Sequence, residues 1–424
     1  MTSIDPRPFL TSLFETAVIA ADPLAAIRTH LPQRPKGRTV VVGAGKAASQ
    51  MAAALEACWD GPVEGVVIAR HGPVETCRHI KVLQSAHPVP DEAGLAGSAA
   101  LLKAVGGLTE DDLVIALISG GGSALLPAPP ESLTLGDEIA VNKALLASGA
   151  PISAMNVVRK HVSRIKGGRL ALAAAPAKVV SLIVSDVPGD NPAFVASGPT
   201  VPDHSTPEDA LKIIAEYAMD LPAAVMKHIR SAAAAAPAPG GPAFARNEVH
   251  IIASARVSLE AAAKRAREAG IDAVILSDAI EGEARDIGRM HAAIAREVVN
   301  CNQPFTKPVV ILSGGETTVT ITSGKCGKGG RNSEFLLAFA LDIDGMEGIH
   351  ALAADTDGID GSEDNAGAFC DGDTVSRMRA KGGDPRALLS GHDAWTAFTL
   401  SGDIFTPGPT GTNVNDFRAV LITG

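Results

Sequence analysis

RTVVVGAGKAASQMAAALEACWDGPVEGVVIA, residues 38–69, spells out one βαβ unit. An apolar, β-branched run (38–42) leads into the turn GAGKA. Ala47, Met51, Leu55 and Cys58 then recur at helical spacing, and a second apolar run follows at 63–69. Further strand candidates lie at 113–119, 179–185, 249–253, 272–277, 308–313, 316–321 and 417–422. Nearly all are apolar throughout, as expected of strands covered on both faces, so the chain reads as parallel α/β. Ile287, Met290, Ile294 and Val298 mark an amphipathic helix further on. Between these stretches, SAAAAAPAPGGPAFA (231–245) breaks the rhythm with three prolines and a Gly pair. It is either a linker, dividing the chain into domains 1–242 and 243–424, or a frayed helix end with a surface loop.

Composition narrows the partners. The chain has 424 residues, 46% hydrophobic and 20% charged, which is ordinary for a globular protein of two or three domains. Aromatics are only 3%, against 43 glycines, so the core must be filled by Ala, Val, Ile and Leu. Few aromatics and a net charge of -10 argue against nucleic-acid binding and against an anionic membrane surface. The five cysteines form no CxxC pair, and an odd number cannot all pair within one chain, so a reducing cytoplasm is expected. The start of the chain carries acids where a secretory signal needs a basic cap, and no apolar run of membrane-spanning length occurs.

Several turns carry the chemistry. In GAGKA, the glycines Gly43 and Gly45 let backbone N–H groups face an anion, and Lys46 could join them. Gly43, Ala44, Gly45 and Ala48 also satisfy the loose form of a dinucleotide fingerprint. However, the second strand ends in Arg70 and His71, not in the acid that would hold a ribose, which weakens NAD more than NADP. The second turn, Ser119, Gly120, Gly121, Gly122 and Ser123, spends much backbone entropy on three consecutive glycines, and close approach of a ligand explains them. Ser123 is followed by Ala124 and Leu125, so this is no nucleophile elbow.

NVVRKHVSRIKGGRLA (156–171) gathers Arg159, Lys160, His161, Arg164, Lys166 and Arg169, as a solvated helix face or an anion site. Asp186 and Asp190 follow a buried strand, where acids can hold Mg²⁺ or accept a proton, and Ser197, Gly198 and Thr200 come next. ILSGGETTVTI (311–321) repeats the strand-Ser-Gly-Gly theme with Gly314, Gly315 and Glu316. GKCGKGGRNSE (324–334) leads to Arg331 and Asn332 at a helix start. LAADTDGIDGSEDNAGAFCDGD (352–373) concentrates seven acids, Asp357 among them, in a register that fails an EF-hand; a Mg²⁺-assisted phosphoryl site or a hydrated acidic loop remain. Thr412 and Asn413 precede the last strand.

In this order, VVGAGKAA, SGGGSALL, NVVRKHVSRIKGGRLA, SDVPGDNPAFVASGPTVPD, SGGETTVT, GKGGRNSE, DTDGIDG and TGTNVND closely resemble the glycerate 2-kinase family with a C-terminal MOFRL domain, whose members often carry the older label hydroxypyruvate reductase. The resemblance spans about residues 8–422. It implies two three-layer α/β/α domains, the first Rossmann-like, with the active site in the interdomain cleft. It further implies ATP-dependent phosphorylation of D-glycerate at its 2-hydroxyl, and functional roles for Lys46 and Arg331.

Phosphoryl transfer needs positioning and charge stabilisation, so Lys46 and Arg331 are expected on the glycerate carboxylate or the transferring phosphoryl. Gly120, Gly121 and Gly122 are expected to cradle phosphate, and Asp186 or Asp190 to bind Mg²⁺ or orient the hydroxyl. No Walker or protein-kinase signature is present. An NAD(P)H-linked hydroxypyruvate reductase and a non-catalytic anion sensor are the rival readings, and a homo-oligomer is one open assembly state.

Overall fold

The computed structural model describes residues 4–321 and 326–423, so Gly324 and Lys325 of the GKCGKGG run lie outside the described residues. The chain divides into a central unit, Pro23–Ile252, and a terminal unit made of residues up to Asp22 together with Ala253 onward.

The central unit is built on a six-stranded sheet of β1 (Thr39–Ala44), β2 (Glu64–Arg70), β3 (Ile80–Ser85), β4 (Leu113–Ser119), β5 (Lys178–Val184) and β6 (Glu248–Ala253), in the order β3-β2-β1-β4-β5-β6. β1 pairs in parallel with both β2 and β4, β2 with β3, and β4 with β5. This doubly wound order places the switch point between β1 and β4, where such sheets open a crevice at their carboxyl ends. Val40, Val41 and Val42 are all 1% exposed or less, so both faces are covered. The helices Leu135–Ala147, Ile152–Lys160, Pro207–Glu216 and Ala223–Ile229 add a helical layer around Val141, Leu145, Val158, Ile214 and Val225.

The terminal unit has a seven-stranded mixed sheet of β7 (Asp272–Ile275), β8 (Ile280–Glu283), β9 (Val309–Thr318), β10 (Ile349–Asp355), β11 (Gly367–Asp371), β12 (Ile404–Phe405) and β13 (Asp416–Ile422). Its order is β12-β11-β10-β13-β9-β7, with β8 also on β9. The pairs β10–β11, β10–β13, β11–β12 and β9–β13 are antiparallel; only β7 and β8 run parallel to β9. The all-parallel expectation therefore fails for this half, because an apolar strand buried on both faces looks the same in either direction. Alternation along the strands sorts the core. Val309, Ile311, Ala351 and Val420 face the helices Ala284–Cys301 and Arg331–Asp342. Val310, Leu312, Leu352 and Leu421 face the helices Pro6–Ala20 and Ala255–Glu268.

The expected division at residues 242/243 differs from the observed one. The stretch 231–245 does not link domains: Ala234 is buried, and its carbonyl accepts from His161 Nδ1 (2.8 Å) and from Arg169. Beyond it, Asn247 Oδ1 accepts from the Val179 amide at 2.9 Å, and β6 completes the first sheet. Residues up to Asp22 belong with the last 170 or so because Phe14 is wedged edge-on against Phe405 and Phe417. Among the described residues no single helix is long and apolar enough to cross a membrane.

Candidate active site

The two Gly-rich turns of the central unit meet at the switch point between β1 and β4. Added Cβ atoms on Gly43 and Gly45 would collide with Leu117 and Ser119 of β4, and Gly45 has φ +141. These glycines thus permit strand contact. The N–H groups of the first turn are already committed: Gly45 to Ile68 O (3.1 Å), Lys46 to Gly120 O (2.8 Å) and Ala47 to Ser119 Oγ (3.0 Å). The expected backbone nest at GAGKA is therefore closed, and what this turn presents is the exposed Lys46 side chain. That side chain passes over the second turn, its Cγ and Cε lying 3.1 and 3.2 Å from where a Cβ on Gly121 would stand.

The glycines of the second turn let Asp186, Lys46, His87 and Ala196 approach it closely. Gly121 is left-handed (φ +78) and precedes the short helix Gly122–Leu125, whose first amides have no partner within the helix. A Cβ on Gly120 would overlap the Asp186 carboxylate, so glycine lets this acid lie against the turn. Behind it, Ser123 and Ser197 share a hydrogen bond, Ser197 donates to Asn156 Oδ1 (2.8 Å), and Asn156 donates to the Phe194 carbonyl (3.1 Å). Ala196, Ser197 and Gly198 are left-handed in succession, as is Asp190 (φ +53). Two consecutive non-glycine residues in that region store strain that the surrounding bonds must hold. Thr200 is buried against Ser181 at 2.7 Å.

His87 is a residue the sequence reading missed. Its Nε2 lies 3.2 Å from the same Gly121 Cβ position, and burial, with Lys46 and Arg70 nearby, lowers its pKa. The pointer was its place just after β3, but β3 itself, IKVLQS, alternates polar residues at the sheet edge and did not read as a buried strand.

The basic stretch 156–171 is for the most part neither a solvated face nor an open anion site; Arg164 alone of its cations is exposed. Lys160 is fully buried, paired with Asp203 and stacked 5.2 Å over Phe194. Lys166, equally buried, binds Glu138 (2.6 Å) and the Leu126 carbonyl (2.9 Å). Arg169 donates to four carbonyls, those of Lys160, Lys166, Ala234 and Ala235, and burial lowers its pKa to about 10. These cations tie the stretch to Glu138, Asp203 and the segment 231–245, while the backbone amides of Gly167, Gly168 and Leu170 hold the loop 197–199.

In the terminal unit, Arg331 opens the helix Arg331–Asp342 and is held by three carboxylates: Nε to Asp416 (2.6 Å), Nη1 to Glu316 (2.8 Å) and Nη2 to Asp355 (2.7 Å). Asn332 Nδ2 also reaches Asp416 (2.9 Å), and the fully buried Arg418 binds the other Asp416 oxygen. Asp360 accepts from the Asn332 and Ser333 amides (2.9 and 2.8 Å), capping the helix. A pocket of about 230 Å³ lies here, lined by Thr317, Arg331, Asp355 and Asp360 among others. Burial pushes Asp355 up, to about 8, reinforced by Asp357 and Asp416 and opposed by Arg331.

Gly314 and Gly315 do not form a turn; they sit inside β9, opposite Phe417 and Asp416 of β13. Gly315 (φ +126) lets the backbone of β8 come close at Ile280. Among the described residues the acids of 352–373 do not converge as one cluster; only Asp355 and Asp360 share the Arg331 pocket. Asp355 faces Arg331 and Asp360 caps the helix, while Glu363 meets Lys328 (3.3 Å) and Asp371 meets Arg377 (2.9 Å). Asp357 is brought to Asn413 (3.4 Å), whereas Thr412 donates to the Ala21 carbonyl (3.0 Å) and anchors the first helix. Among the described residues no three His, Cys, Asp or Glu side chains converge as a preformed metal site.

A doubly wound sheet with a lysine over a glycine turn, and a second sheet with a carboxylate-held arginine, define a two-unit α/β enzyme. Residues 9–230 match the family described as "Domain of unknown function (DUF4147)" and residues 309–416 match the MOFRL family. The chain is 51% identical over 420 residues to an Agrobacterium vitis protein named "Putative hydroxypyruvate reductase", covering 99% of this chain and 95% of that one. It is 38% identical over 413 residues to the D-glycerate 2-kinase of Thermotoga maritima, covering 97% of each. A crystal structure of glycerate kinase from Thermotoga maritima superposes with a TM-score of 0.89 at 37% identity, over 98% of this chain and 99% of that one. The chain belongs to the glycerate kinase family of DUF4147 and MOFRL domains.

Proposed function

We propose that this chain transfers the γ-phosphoryl group of ATP to the 2-hydroxyl of D-glycerate, giving 2-phosphoglycerate and ADP. The observation that carries the reading is the Lys46 side chain lying over the Gly120–Gly122 turn at the switch point, with Asp186 against the same turn. The relatives named as glycerate kinases support the substrate.

Lys46 would neutralise phosphate charge, and Ser119 and Ser123 would hold the turn in shape. Arg331 would meet an anionic group by displacing Glu316, the most exposed of its three partners at 53%. Asp416 and Asp355 would keep its guanidinium aimed meanwhile. Asp186 or Asp190 would accept a proton or ligate Mg²⁺. A single carboxylate beside the turn fits an ion that keeps its waters and arrives on nucleotide phosphates, where it would neutralise the charge developing between them. The five free thiols suit the cytoplasm.

The rival reading, NAD(P)H-dependent reduction of hydroxypyruvate, asks the GAGKA amides to hold a pyrophosphate, and those of Gly45, Lys46 and Ala47 are already bonded internally. Incubation with D-glycerate and Mg-ATP, and separately with hydroxypyruvate and NADH, tests both; ADP formation with a 2-phosphoglycerate signal in ³¹P NMR is expected, and NADH loss alone would sink the proposal. Lys46→Ala and Arg331→Ala should each lower kcat by about 10³ or more. Arg331→Lys should recover little, because one ammonium cannot span three carboxylates.

A further inference from the structure

The central unit carries an open groove of about 780 Å³ that takes no part in the proposed reaction. Leu172 (46% exposed), Ala173, Ala233 and Pro237 give it apolar walls. Arg164 supplies an exposed cation: Nε donates to the Pro129 carbonyl at 3.1 Å, and neither Nη has a bond among the described residues. Arg169 also lines the groove but spends its Nη groups on four carbonyls. The one acid on the rim is Glu131.

The remaining polar pair fixes a direction. His228, 5% exposed, lies 3.0 Å through Nδ1 from the exposed Ser132 Oγ, and its ring also faces the His161 backbone carbonyl. A carbonyl only accepts, so the ring proton is assigned to the nitrogen facing it, and Nδ1 accepts from Ser132. Ser132 therefore turns lone pairs toward the groove. It asks a ligand for a donor, while Arg164 asks for an anion and Leu172 for an apolar body.

We propose that this groove is a second ligand site, selective for a small carboxylate that has an apolar body and an N–H or O–H donor. Its volume falls in the range of small-molecule sites.

Calorimetric titration with N-acetylphenylalanine, and with 3-phenylpropionate as the analogue lacking the donor, tests it. Saturable binding of N-acetylphenylalanine is expected, unchanged in Lys46→Ala and at least about tenfold weaker in Arg164→Gln. Arg164 is exposed, so its replacement leaves the fold intact. Ser132→Ala should weaken N-acetylphenylalanine several-fold and leave 3-phenylpropionate as it was. Three results overturn the site: no saturation up to about 10 mM, affinity indifferent to Arg164→Gln, or binding lost in Lys46→Ala. Equal weakening of both probes in Ser132→Ala overturns the donor requirement.

Discussion

Asp355 is the residue whose environment has the clearest thermodynamic signature. Its pKa in the folded chain is pushed up to about 8, well above that of an unfolded aspartate. A raised acid binds its proton more tightly in the native state, so its contribution is fully present below about pH 4 and is lost as pH rises through about 8. Between pH 5 and 8.5 the Tm of the wild-type chain should therefore fall further than that of Asp355→Asn, and thermal melts across that range check it. Residue identity alone told part of this story. Lys46 and Arg331 were legible as isolated cations after Gly-rich turns, but the three carboxylates around Arg331 come from β9, β10 and β13, far apart in sequence. Lys160 looked like a ligand cation and is a buried ion pair, because burial belongs to the tertiary fold and not to a short motif.

At the scale of elements, small residues do what large ones were expected to do. In the helix Ala284–Cys301 the buried side is Ala284, Gly288, His291, Ala292, Ala295 and Val298, whereas Met290 is 40% exposed. A Cβ on Gly288 would run into the Phe335 carbonyl of the neighbouring helix. Gly288→Ala should thus cost about 1–3 kcal/mol by forcing the two helices apart, despite its better helix propensity. Met290→Ala should change stability by less than about 0.5 kcal/mol, and urea titrations of both variants distinguish the two faces. Hydrophobic periodicity favours bulky side chains, so it marked the helix and misplaced part of its buried face. Strands covered on both faces were the most readable elements. Edge strand β3, and the glycines inside β9, were not, since their residue types are set by sheet edges and close backbone approach.

For the whole molecule, the division into units was the least legible feature. Pro- and Gly-rich composition pointed to 231–245, yet that stretch is held by His161 and Arg169 within the central unit. Nothing local announces that the helix Pro6–Ala20 packs on a sheet assembled some 300 residues later. Phe14→Ala removes an aromatic ring from that core and should cost about 3–5 kcal/mol. Hydrogen exchange should register the loss in β9, β10 and β13, with β1 and β4 unaffected; equal loss of protection in both sheets would contradict the observed division.

The placement of Phe14 also bears on synthesis. A ribosome makes Pro6–Ala20 long before the partners of Phe14: Phe405 and Phe417 emerge roughly 400 residues on. At about 5–20 residues per second that is a wait of some 20–80 s. The central unit can close in the meantime, and the helix Ala255–Glu268 arrives before the ring partners of Phe14 do. The nascent chain thus carries an apolar helix face that waits for partners made much later.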